Sequence, residues 1–130
     1  MRKIYKALLI VAVALIGALS VSAQETRIVK VDGWDPASGE PDSLYNNVLY
    51  DAIEADTTAR KTNPNVIFEL TPGHKYPQGK TIKNYDYHLH IRAGEGEGLQ
   101  PELIPGKRPA GTYGADYINS YNDLTIQNLT

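Results

Sequence analysis

A mostly β chain of short stacked strands, capped by one N-terminal helix, is the fold class this sequence predicts. Three observations predict it. From Val66 onward, short β-type runs recur, each closed by Gly or Pro. Before them, from Asp42 to about Lys61, apolar residues recur at steps of three and four. The last run, Asp123-Leu-Thr-Ile-Gln-Asn-Leu-Thr130, is a strand whose far edge has no later segment to pair with. Residues 42–130 therefore read as a capping helix and the first layers of a stacked structure, the front of a longer protein.

Residues 1–23 read as a signal peptide. Arg2, Lys3 and Lys6 give a basic start, Ala7 to Leu19 is almost wholly apolar, and Val21-Ser22-Ala23 offers the small residues of a cleavage site. The apolar run is shorter than the roughly 20 residues that span a bilayer, so the expected product is secreted or held at the cell surface, with no membrane segment after cleavage. The chain has no cysteine, which leaves packing and backbone ladders to hold an exported fold without disulfides. Of its 13 Lys and Arg and 15 Asp and Glu, the leader takes three bases and no acids. The mature chain is thus acidic, and without a basic cluster nucleic acid is not an expected partner.

Residues 24–41 read as an N-terminal strand and loop: Thr26 to Val31 is β-type, and Asp32-Gly-Trp-Asp-Pro-Ala-Ser-Gly-Glu-Pro41 is broken by two Gly and two Pro. A helix follows, with Asp42 or Ser43 as its N-cap. Leu44, Val48, Leu49, Ala52, Ile53 and Ala59 share one face, and Asn46, Asn47, Asp51 and Glu54 fall largely opposite. It ends near Thr57 to Lys61, and Asn63-Pro64-Asn65 makes the turn.

Val66 to Leu70 is the clearest strand, stopped by Thr71-Pro72-Gly73; Lys80 to Lys83, His88 to Ala93, Glu102 to Ile104 and Leu124 to Thr130 follow. Phe68, Ile91 and Ile126 are the expected inward residues of successive long strands, 23 and 35 residues apart. The first spacing suits one layer of a stacked β structure, and the second a layer carrying an insertion of roughly a dozen residues across Pro105 to Tyr117.

Taken in order, the helix, Val66-Ile-Phe-Glu-Leu-Thr-Pro-Gly-His-Lys-Tyr76, Lys80-Thr-Ile82, Leu89-His-Ile-Arg-Ala-Gly94 and the final Leu124-Thr-Ile-Gln-Asn-Leu-Thr130 resemble the entry to a right-handed parallel β-helix of the pectate-lyase-like superfamily. The resemblance implies a helix capping the first coil, further coils docking on the Asp123 to Thr130 strand, and an exported bacterial protein acting on extracellular polysaccharide as a lyase or hydrolase. Lyases of that superfamily often use a Lys or Arg base with Ca²⁺ bound by carboxylates on a middle coil. The matched region precedes that coil, so no catalytic residue carries over, and the catalytic centre is expected outside this chain. A noncatalytic β-helix adhesin or stalk and a small carbohydrate-binding module are the alternatives.

Tyr85, Tyr87, Tyr113 and Tyr117, with Tyr121, are the candidates for stacking on sugar rings, although tyrosine is also an ordinary strand residue. His88 and His90 lie on one strand face and form an incomplete metal set, read as solvent-facing. Asp32, Asp35, Glu40 and Asp42 are an oxygen-rich loop without a calcium-loop order, read as acids near a helix N-terminus. Glu95 and Glu97 read as a solvated turn between glycines, and Asn128-Leu-Thr130 as an acceptor pattern whose Asn serves a turn. No cofactor motif is present.

Overall fold

The computed structural model describes residues 25–113 and 116–130; the signal peptide assigned to 1–23 lies outside them. Among the described residues the chain is mostly β and its strands pair in parallel. Eight strands form: β1 (Arg27–Val31), β2 (Val66–Leu70), β3 (Lys75–Gln78), β4 (Ile82–Asn84), β5 (Leu89–Ala93), β6 (Glu102–Pro105), β7 (Ile118–Ser120) and β8 (Leu124–Gln127). They make a four-stranded sheet in the order β1-β2-β5-β8 and two pairs, β3-β6 and β4-β7. Successive circuits of the chain visit the three sheets in the same order. After β8 the pattern resumes, because the Thr130 N–H donates to Pro101 O at 2.9 Å while its carbonyl accepts from Leu103 N at 3.0 Å.

Register follows the apolar rows. Val29 lies beside Phe68, Phe68 beside Ile91, and Ile91 beside Ile126, so the 23- and 35-residue spacings do mark successive layers. One residue of slip would turn each of these side chains outward. Phe68 and Ile91 are 0% exposed, whereas Ile126, on the edge strand of the sheet among the described residues, is 46% exposed. The longer circuit gains residues in two places, not one. The connection from β6 to β7 runs over 106–117 where β3 to β4 needs only 79–81, and the Gly-Glu-Gly-Glu-Gly turn also lengthens the passage from β5 to β6.

Two strands escape the sequence reading. β7 is only three residues long, and β3, Lys75-Tyr-Pro-Gln78, lacks alternation and contains Pro77. Pro77 is tolerated because its carbonyl points away from β6 and accepts from Asn47 N at 2.8 Å, so its nitrogen faces that side too and no donor to β6 is lost; on the same side Lys75 bridges Trp34. The strand over Lys80 to Lys83 is displaced to Ile82–Asn84.

The single helix expected from Asp42 is instead three pieces: a 3-10 turn over Asp42–Tyr45, α1 over Val48–Ala55 and α2 over Thr57–Thr62. Neither Asp42 nor Ser43 caps it, since Pro41 precedes the 3-10 turn and no side-chain cap bond forms. The break lies at Asn47, at φ 66°, a left-handed conformation that Asn tolerates better than most residues. Its Oδ1 accepts from Gly79 N at 2.7 Å and Lys80 N at 2.9 Å, which ties it to the connection after β3 and sends the chain off the helical path. Leu44, separated by this break, is exposed, while Leu49 and Ile53 of α1 are fully buried. The helices thus cover the circuit where later layers have β3 and β4, and β1, read only as part of an N-terminal strand and loop, is the first strand of the large sheet.

Tyr76 fastens the first layer to the second. Fully buried, it donates from its hydroxyl to Val31 O at 2.5 Å and accepts from Thr71 N at 2.7 Å. Gly33 lies over the ring, and a Cβ there would stand 2.8 Å from Cζ of Tyr76 and 2.6 Å from Lys75 O. Burial raises the Tyr76 pKa above its ordinary value, and burial raises that of Tyr87 as well. A tyrosine that ionises less readily folded than unfolded contributes its full stability below the unfolded value of about 10 and loses it as pH rises toward the folded value. Urea unfolding at pH 8 and pH 11 is expected to show lower stability at pH 11. Tyr76→Phe is expected to reduce that loss; an unchanged pH slope in the variant would count against Tyr76 as its source.

Candidate functional site

Asn84 of β4 organises the turns beside the β4-β7 pair. It is fully buried, and its Nδ2 donates to Asp123 O at 2.9 Å and to Asn122 O and Tyr87 O at 3.3 Å, while its Oδ1 accepts from Tyr121 N at 3.0 Å. One side chain thereby holds the turn after β4 against the equivalent turn after β7. Tyr85 rests on Tyr121 as a result, with ring centroids 4.6 Å apart and planes inclined by 21°. Tyr85 is 55% exposed.

Beside this pair lies a cleft of about 530 Å³ whose walls come from α1, α2, β4 and the turns after β4 and β7, including Glu54, Arg60, Lys83, Tyr85, His88 and Asn122. Arg60 is held firmly. Its guanidinium donates to Ile53 O at 2.7 Å and Thr57 Oγ1 at 3.3 Å, stands 3.7 Å from Asp56 and lies 4.0 Å above the Tyr87 ring. Tyr87 is therefore a poor platform for a sugar, because a guanidinium already occupies a face of its ring. Its hydroxyl is buried with no hydrogen-bond partner among the described residues.

A second cleft, of about 440 Å³, shares Pro64 and His88 with the first and continues past Val66 and Ile67 to His90. His88 and His90 lie on the outer side of the large sheet while Leu89 and Ile91 point inward, as the alternation predicts. His88 Nε2 lies 2.7 Å from Thr125 Oγ1, and His90 Nε2 lies 2.9 Å from Gln127 Oε1. The two rings are near parallel, with centroids 5.8 Å apart. Parallel rings aim their lone pairs side by side, whereas a metal held at about 2.0–2.1 Å from each nitrogen needs them to converge. Among the described residues no group of three or more His, Cys, Asp or Glu side chains is placed to hold a metal ion.

The other candidates are dispersed. Tyr113 stands at a different cavity with Asp42 and Asn46, and Tyr117 accepts from Ile82 N through its carbonyl. The acids of the 32–42 loop do not converge on one point: Asp32 accepts from Thr71 Oγ1, Asp35 from Ala37 N, and Glu40 takes the Tyr45 hydroxyl. Glu95 and Glu97 are exposed in their turn. Asn128 adopts φ 59° at the corner after β8. The structure thus joins Tyr85, Tyr87 and Tyr121 of the five tyrosines and adds Arg60, Lys83 and Asn122, for which the sequence carried no signal, since their convergence depends on how the helices sit on the strands.

Comparison with models of known families, with curated proteins and with solved structures found no match.

Proposed function

We propose that this chain is the cap and first coils of an exported right-handed parallel β-helix that engages extracellular polysaccharide, with the cleft beside Tyr85 and Tyr121 as its contact site. The scaffold reading is supported by the recurrence of three parallel ladders in one order, with α1 covering the first interior. In such a scaffold Leu124 and Ile126, 38% and 46% exposed, form the face on which a further coil stacks. Export rests on the basic and apolar composition of residues 1–23.

The observation that carries the sugar reading is the exposed, paired Tyr85 and Tyr121 beside a cleft lined by both apolar surface and hydrogen-bonding groups. Stacked rings are stiff and lose little freedom on binding, and a flat apolar face edged by hydrogen-bonding groups suits a pyranose, which has apolar C–H faces and a hydroxyl rim. The role assigned is binding, common to an enzyme subsite and to an adhesin. Affinity electrophoresis through gels containing soluble polysaccharides tests it. Tyr85→Ala is expected to weaken retardation about tenfold, the equivalent of roughly 1.4 kcal/mol, with an unchanged thermal midpoint. Retardation unaffected by Tyr85→Ala and Tyr121→Ala would remove this cleft as the site.

A further inference from the structure

We infer that the two adjoining clefts form one continuous groove and that its ligand is an uncharged glycan chain, not an acidic one. This rests on the sugar-binding reading above and specifies its substrate class. Continuity comes from Pro64 and His88, which wall both clefts. The groove therefore runs from the Tyr85–Tyr121 pair, past the turn before β2, and onto the outer face of the large sheet at His90.

Charge decides the class. In the first cleft Lys61 and Lys83 are matched by Glu54 and Asp86, two against two. Arg60, the fifth ionised group, is held in place by donating to Ile53 O and Thr57 Oγ1 and faces Asp56 at 3.7 Å, a carboxylate it shares with Arg27. The second cleft has no Asp, Glu, Lys or Arg in its lining; Ile67 and Pro64 supply apolar surface, and Thr26, His88 and His90 supply polar groups. An acidic polysaccharide places a carboxylate on successive sugars and calls for an excess of cations along its path, as any polyanion does. Here it would meet Glu54 and Asp86 beside three cations, a surplus of one in the first cleft, and no cationic Lys or Arg in the second. A neutral chain meets balanced donors and acceptors, carboxylates that accept from its hydroxyls, and an apolar strip for its C–H faces.

The test is affinity electrophoresis of the protein through gels holding a neutral β-glucan, a neutral mannan, polygalacturonate or alginate, with dissociation constants for the retarded cases repeated at 20 mM and 500 mM NaCl. Binding to a neutral polymer, changing less than twofold between the two salt concentrations, is expected. His90→Ala, at the far end of the groove, is expected to weaken it threefold or more, whereas Tyr113→Ala, at a separate cavity, leaves it unchanged. Preferential binding of the acidic polymers, falling steeply with salt, overturns the neutral-ligand inference while keeping the sugar-binding reading. Neutral binding sensitive to Tyr85→Ala and insensitive to His90→Ala overturns the continuous groove. No retardation by any of the four polymers overturns the sugar-binding reading and this inference with it.

Discussion

Phe68→Ala is expected to lower the unfolding free energy by about 3–5 kcal/mol, the usual loss for emptying a buried aromatic site. Its ring is fully buried and stands in register between Val29 and Ile91. Strands above and below are fixed near the usual 4.7–4.9 Å ladder spacing, so neighbouring layers cannot close over the hole without stretching hydrogen bonds. Against the roughly 5–15 kcal/mol that separates folded from unfolded domains, such a loss is a large fraction of the total. Ile126→Ala, in the same row but 46% exposed, is expected to cost less than about 1.5 kcal/mol, since much of its apolar surface already meets water. Urea unfolding of both variants gives the comparison. Equal losses at the two positions would mean that the row is not a graded, layer-by-layer core.

Asp56→Ala is expected to cost about 3 kcal/mol, near the lower end of what removing one partner from a buried ion pair does. Asp56 lies between the helices and the first strand. Its carboxylate accepts from Arg27 at 2.7 and 3.1 Å and faces Arg60 at 3.7 Å, and its side chain is only 7% exposed. Arg27 also donates to Asn63 O at 2.8 Å, so one guanidinium joins β1 to both ends of α2. Removing the carboxylate costs Arg27 two of its hydrogen bonds and Arg60 its ion pair. A double-mutant cycle of Arg27→Ala with Asp56→Ala isolates the pair, and the coupling is expected to change little with added salt, because buried charges are screened weakly. A total loss below about 1 kcal/mol, the scale of an exposed pair, would show that the helices are held by packing alone. The same substitution removes the ion pair of Arg60 and leaves it held by Ile53 O, Thr57 Oγ1 and the Tyr87 ring, so the cleft wall is expected to persist.

The stacking order was legible because it rests on period and spacing. Val66, Phe68 and Leu70 alternate with Ile67 and Glu69, and Leu89 and Ile91 alternate with His88 and His90, which assigns each side chain to a face before any partner is known. The helix break was not legible. The apolar steps continue through Asn46 and Asn47, and only Pro77, Gly79 and Lys80, some thirty residues later, supply the bonds that bend the chain there. The candidate site divides in the same way. Tyr85 and Tyr87 are two apart and fall on one turn in either description, but Tyr121 reaches Tyr85 only because Asn84 clamps the two turns together. Tyr87 loses its open ring face to Arg60, a residue of α2 that no local pattern connects to it.

By itself the sequence determined which residues face inward and how far apart the layers fall, because a strand's two-residue period is a local property of the backbone. Only the tertiary structure decided where the helices break, that β1 opens the large sheet, and which polar side chains share a cleft. Those outcomes depend on contacts between segments distant in sequence, and such contacts leave no periodic trace in the chain.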